Sequence, residues 1–296
     1  MKRLALALLF IIGSTAAARA DSVTVGLFAP TAPFPSTSAR VDLASRLGEH
    51  LGKAIGKSGS GKVFARGADF AAAAKKGEIN VAVVDAAYLA VAGGNYTLLA
   101  SATRGGETSH GWQLVARGSD KLPGLKGKRV LVPAIGGRET ELVLNVLLGG
   151  EVAKDYFAKI ETAPDTVSAL AALGLGKADA AIVPRGTELP AGATAVLDLP
   201  ELSGPVLVAY GNLSAADKQA ITTAALTFKG DTTVSGFKAA DPDAIKSVAR
   251  RFVVPAKRGP LALPAIRLLV GDLVEGRTLT IERTPVTVFA AKPGTR

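Results

Sequence analysis

Residues 121–148, KLPGLKGKRVLVPAIGGRETELVLNVLL, constrain the fold more than any other stretch. A polar approach rich in Lys and Gly leads into a short apolar strand, Arg129 to Val132. The strand breaks at Pro133, turns through Gly136-Gly137 and passes at once into a helical pattern. In an α/β chain this order leaves free backbone N–H groups of a helix N-terminus at the carboxyl end of a parallel strand. Open α/β sheets hold ligands there, and anions bind there most readily.

The remaining chain alternates in the same way. Val23 to Phe28 alternates as a first strand and runs into the loop Ala29-Pro30-Thr31-Ala32-Pro33. Residues 39–55 carry Val41, Leu43, Leu47, Leu51 and Ile55 near helical spacing. INVAVV, Ile79 to Val84, is apolar throughout, as in a sheet covered on both faces, and Asp85 then opens a short helix. Tyr96 to Thr103 and Gly111 to Arg117 are strands separated by the polar stretch Arg104 to His110. Further strands are expected at 62–65, 157–162, 178–183, 195–199 and 206–209. Helices are expected at 166–173, 214–228 and 241–251. Thr278 to Ile281 and Pro285 to Phe289 alternate like a hairpin.

Strands alternating with helices imply α/β layers with mostly parallel sheets flanked by helices. Two polar stretches bearing Pro and Gly, Arg117 to Leu125 and Leu197 to Pro205, read as crossings between lobes. That division gives lobe one from residues 21–118 plus 205–296 and lobe two from 119–204, with a ligand cleft between them that hinge closure would shut.

The ends and the composition narrow the class. Lys2 and Arg3, the apolar run Leu4 to Ile12 and the small-x-small site Ala18-Arg19-Ala20 have the order of a cleaved signal peptide, residues 1–20, with cleavage after Ala20. A periplasmic protein is therefore expected. The absence of cysteine excludes disulfides, Cys-ligated metals and thiol nucleophiles. Removing Lys2, Arg3 and Arg19 takes the formal charge from +10 to +7, which favours anionic ligands. No basic run with interleaved aromatics is present, so no nucleic-acid partner is expected. GKSGSGK at 56–62 imitates a phosphate loop, but Val63 stands where Ser or Thr is needed and a helix precedes it, so it reads as a connector. There are two histidines, His50 and His110, and no GxSxG elbow, so neither an enzyme nor a cofactor or metal is expected.

The order of segments resembles the phosphate/phosphonate-type solute-binding proteins of ABC importers, which have the type II periplasmic-binding fold. The matching pieces are VTVGLFAPTAP, NVAVVDAAYLAV, LVARGSDKLPGLKGKRVLVP, APDTVSAL with GKADAAIVPRG, and GPVLVAYGNLSAADKQAITTAAL. The resemblance implies a monomer that captures a small anionic solute, phosphate- or phosphonate-like or another oxyanion, and presents it to an ABC permease. It implies ligand contacts from Pro30 and Thr31, from Asp85 and Tyr88, from Gly137, Arg138, Glu139 and Thr140, from Asp165 and Thr166, and from Arg185. In the helix start only Thr140 supplies a hydroxyl, and Glu139 puts a carboxylate where a dianion would sit. Arg138 either offsets that charge or faces solvent. Arg185 reads equally as a bidentate clamp or a solvated side chain, Asp85 as a helix cap or a ligand contact, and Tyr88 as a cleft hydroxyl or core. The same fold feeding a signalling partner, as a sensor or scaffold, is the alternative expectation.

Overall fold

The structure, a computed structural model, describes residues 22–211 and 213–253. The expected signal peptide and the expected hairpin at 278–289 lie outside the described residues. Two sheets form separate layers. The first contains β1 (Ser22–Phe28), β2 (Ser58–Val63), β3 (Val81–Asp85), β4 (Thr97–Thr103), β10 (Pro205–Ala209) and β11 (Gly236–Ala239), in the order β11-β4-β10-β3-β1-β2. The second contains β5 (Ser109–Arg117), β6 (Arg129–Pro133), β7 (Lys159–Ala163), β8 (Ala180–Pro184) and β9 (Ala193–Ser203), in the order β7-β6-β8-β5-β9. Helices α1 (Thr37–Ala54), α2 (Gly67–Lys75), α3 (Ala86–Ala92), α5 (Thr166–Gly174), α6 (Ala215–Thr227) and α7 (Pro242–Arg251) flank them, and α4 is the single turn Glu139–Glu141.

The chain passes between the sheets at residues 104–108 and at Gly204. The strand at 109–117, assigned to lobe one from the sequence, pairs with β8 and β9 and belongs to the second sheet. The first crossing therefore precedes it, and residues 117–125 are a connection within lobe two. Each sheet is a parallel trio, β2-β1-β3 or β7-β6-β8, joined to a strand that runs against it. Those opposed strands, β10 and β5, directly follow the crossings. A chain entering a lobe from the cleft edge runs away from the cleft, whereas the parallel strands run toward it. The carboxyl ends of β1, β3, β6 and β8 are therefore gathered at the cleft.

The helix starts follow from local chemistry. Ser36, Ser214 and Asp241 each accept a backbone N–H in the first turn of α1, α6 and α7, and Pro242 occupies the first turn of α7. Apolar clusters cover both faces of each sheet. One cluster crosses the lobes: Ala87 of α3 shares it with Val248 and Phe252 at the α7 end and with the strands of lobe two.

The segment at 56–62 is not a connector, because most of it forms β2, the edge strand parallel to β1. Its alternating Ser and Gly carry no apolar signal. The glycines are needed because α1 lies directly on this strand: a Cβ on Gly48 would overlap the Ser60 backbone, and one on Gly59 would overlap Gly48.

Candidate functional site

The centre of the cleft is built at the end of β3. Asp85 is 1% exposed and accepts the Thr31 N–H at 2.9 Å, with Thr31 Oγ1 at 2.7 Å from its other oxygen. Its side chain makes no cap bond to α3. Asp85 thus fastens the loop after β1 over the end of β3. Burial pushes its carboxyl up to about 7, against the opposing pull of the two Thr31 bonds and the Arg40 charge.

The two lobes meet over this loop. Asp165 caps α5 by accepting the Ser168 N–H at 2.7 Å, and its other oxygen lies 2.7 Å from Arg40 Nη2 on α1 of lobe one. Burial alone would raise the Asp165 carboxyl, but the Ser168 bonds and the Arg40 cation outweigh it and hold it below its ordinary value. The Arg40 guanidinium also stands 5.7 Å from the centre of the Phe34 ring. Thr166 is fully buried, and its hydroxyl donates at 3.4 and 3.5 Å to the carbonyls of Pro30 and Thr31. Five residues implied from the sequence, Pro30, Thr31, Asp85, Asp165 and Thr166, therefore come together. Arg40, which joins them, was not among the expected contacts.

The glycine turn meets lobe one at a neighbouring point. Gly136 and Gly137 have φ of 89° and 136°, and a Cβ on Gly136 would lie 2.7 Å from the Tyr88 ring. Tyr88 is buried and stacks edge-on with Phe28 and Phe70 at 5.1 and 5.5 Å, so its ring is core. The expected row of free amides is altered. Gly137 N–H donates to Glu139 Oε1 at 2.9 Å, a carboxylate reaching back much as in a capping box. Arg138 adopts the left-handed region at φ 60° and lies over the Phe252 ring at 5.1 Å, with Nη2 donating to the Phe252 carbonyl at 3.3 Å. Thr140 is exposed. The expected long helix is one α turn that continues as π-helix over Leu142–Leu147.

Beside this centre, at the two crossings, is a small cavity of about 30 Å³ between the lobes. Thr31, Thr103 and Thr233 line it from lobe one, His110 and Trp112 from lobe two, and Arg104 from the crossing itself. Arg104 is half-buried; among the described residues no carboxylate lies within ion-pair distance of it, and its Nη2 donates to the Arg185 carbonyl at 3.4 Å. Burial lowers the pKa of its guanidinium without approaching neutrality at physiological pH. Burial, then the Arg104 charge, lowers the pKa of the His110 imidazole, while Glu201 and Glu107 pull the other way. Arg185 itself is half-exposed, pairs with the exposed Asp198 at 3.3 Å and lies outside this cavity. Arg104 escaped the sequence reading because a polar loop resembles any solvated turn. Its one legible signal is its place between two apolar strands that belong to different sheets. No group of three or more potential metal ligands occurs among the described residues.

No family model matches the chain, and no curated protein is similar to it in sequence. Solved structures are similar in fold. A Xanthomonas citri protein bound to ATP superposes with a TM-score of 0.62 at 13% identity, covering 79% of this chain and 97% of its own. A binding-protein component of an ABC phosphonate transporter from Pseudomonas aeruginosa gives 0.62 at 15% identity, over 81% and 90%. PhnD1 from Prochlorococcus marinus in complex with methylphosphonate gives 0.61 at 14% identity, over 78% and 96%. The chain has the two-lobed type II periplasmic-binding fold.

Proposed function

We propose that the protein is a periplasmic solute-binding protein, exported by the signal peptide at residues 1–20, that captures a small oxyanion between its lobes and presents it as a monomer to an ABC permease. The observation that carries this reading is Arg104: a half-buried cation with no carboxylate partner among the described residues, in a cavity beside the two short crossings between the lobes. A guanidinium there offers a bidentate fork to phosphate, phosphonate, sulfonate or carboxylate. Anion contacts drawn from both lobes stabilise the closed arrangement, which is what a membrane partner would recognise.

The test is a thermal-shift and calorimetric screen of phosphate, phosphonates, sulfonates and carboxylates. A true ligand at about a thousand times its Kd stabilises the fold by about 4 kcal/mol. Arg104→Gln should weaken that ligand by roughly one to two orders of magnitude, the loss of one charge-assisted contact. If no small anion shifts the transition, the reading falls.

One observation favours a second reading, a sensor or scaffold on the same fold. Glu139 occupies the Gly137 amide, and Arg40 and Asp165 are already paired across the lobes, so the region the fold would use for an anion is satisfied internally. On this reading a signalling partner, not a permease, binds the closed protein without a small ligand, and co-purification with the soluble domain of a sensor kinase would support it.

A further inference from the structure

The hinge cavity does not end at Arg104. Pro33, Arg104 and Thr233 form a wall shared with a second, open space of about 980 Å³ at the mouth of the cleft. Its floor is α5. Val167, Leu170, Ala171, Gly174 and Leu175 recur at the three- and four-residue spacing of one helical stripe. Ala169, Leu170 and Leu173 fill the lobe-two core, so Val167, Ala171 and Leu175 are the part of this stripe left as a second apolar surface, on a helix with no charged residue between Thr166 and Gly174. Val167 is 43% exposed and Leu175, the C-cap, 72% exposed. Pro33 and Pro35 form the facing wall, and Leu189 and Pro190 extend it. Charge is concentrated beside the shared wall, where Arg104 donates to the carbonyl of Arg185, another lining residue; Glu188 is the one carboxylate on the lining.

We infer that the ligand is an amphiphilic oxyanion: an anionic head at Arg104, where the hinge cavity meets the groove, and an apolar tail of several carbons laid along the α5 stripe. This inference rests on the oxyanion-binding reading and specifies its substrate class. Charge complementarity fixes the polarity of the ligand, because the cationic end of the groove is the end that opens into the cavity. A bare oxyanion would leave the stripe uncovered, and a neutral lipid would leave the Arg104 cation unmatched.

The experiment uses the mature chain with two probes that share a head, methylphosphonate and octylphosphonate, the latter kept below its micelle concentration, and octanol as a tail without a head. A fully buried methylene is worth roughly a fourfold gain in affinity, so even partial cover of the longer tail should make octylphosphonate roughly tenfold tighter or more. Arg104→Gln should weaken both phosphonates, and octanol should bind far more weakly than octylphosphonate. The double variant Val167→Glu with Leu175→Glu changes two exposed positions and should bring the octyl-to-methyl ratio to about one. Binding of neither phosphonate overturns the oxyanion reading together with this inference. Equal affinity for the two, or a ratio untouched by the double variant, overturns this inference alone. A concentration-dependent dimer that the double variant abolishes would assign the stripe to a second copy of the chain and overturn it as well.

Discussion

The Arg40 guanidinium and the Asp165 carboxylate lie 2.7 Å apart on opposite lobes, one on α1 and the other at the first turn of α5. Both side chains are largely shielded, at 10% and 16% exposure, and Arg40 Nε has no hydrogen-bond partner of its own. The two partners are therefore unequal under mutation. Asp165→Ala strands a buried guanidinium and removes the α5 cap, so it should cost about 3–5 kcal/mol. Arg40→Met keeps an apolar stem against Phe34, removes the unpartnered Nε and leaves Asp165 its Ser168 bond, so it should cost about 1–2 kcal/mol. Urea unfolding of both singles and the double gives the coupling. Near-zero coupling would mean that the pair does not hold the lobes together.

Gly48 provides a prediction opposite in sign to helix propensity. Alanine is favoured over glycine inside a helix by about 1 kcal/mol. At Gly48 the new Cβ would overlap the Ser60 backbone of β2, and neither backbone can yield without separating helix from strand. Gly48→Ala should therefore destabilise by roughly 2–3 kcal/mol, within the range of overpacked cores. Glu49→Ala, on the exposed face of the same helix, should stay within about 0.5 kcal/mol. Thermal unfolding of the two decides it, and a more stable Gly48→Ala would show that α1 and β2 are not in contact there.

These two sites also show where sequence reasoning stops. The strands at 79–84 and 178–183 were legible because a strand covered on both faces has to be apolar throughout, and that pattern is local. The sheet to which residues 109–117 belong was not legible, since the strand's own alternation is the same whichever neighbours pair with it. β2 was legible only at its end, in the strand expected at 62–65, because its glycines answer to a helix packed above, not to a strand pattern. At the site, the loops at 30–31, 85 and 165–166 follow from segment order. Arg40 and Arg104 do not: an arginine on an amphipathic helix, or in a polar loop, reads as solvated until the second lobe covers it.

Arg138 is the one residue other than glycine with positive φ among the described residues, at 60°. The left-handed region costs an ordinary residue about 1–2 kcal/mol, and glycine avoids that cost. Against it stand the Phe252 ring at 5.1 Å and the Phe252 carbonyl at 3.3 Å, both contacts of a half-exposed side chain. Arg138→Ala loses these contacts and keeps the strain; Arg138→Gly loses them and relieves it. Arg138→Gly should be more stable than Arg138→Ala by about 1 kcal/mol, measured by urea unfolding. Equal stabilities would mean that the turn relaxes to another conformation.

Asp85 gives the fold a dependence on pH whose sign is opposite to the usual carboxylate case. Its folded pKa is raised to about 7 by burial, above the ordinary carboxylate value. The folded state thus holds a proton that the unfolded chain has lost, and the contribution is fully present below the unfolded pKa and disappears as pH rises through about 7. A shift of that size corresponds to a loss on the order of 3–4 kcal/mol between about pH 4 and pH 8. Asp165 acts in a separate window: its folded pKa is depressed, so its contribution is present above the unfolded pKa and is lost only as pH falls through the folded value. Asp85→Asn preserves the geometry without the titration, because an amide oxygen can accept the Thr31 N–H and the amide nitrogen can donate to Thr31 Oγ1. Urea unfolding from about pH 5 to pH 8.5 should show the wild-type protein losing stability relative to Asp85→Asn from the bottom of that range to about pH 7, and the difference levelling off above it. Parallel curves would mean that Asp85 does not change its charge there, and that the loop over β3 is held by something other than a protonated carboxyl.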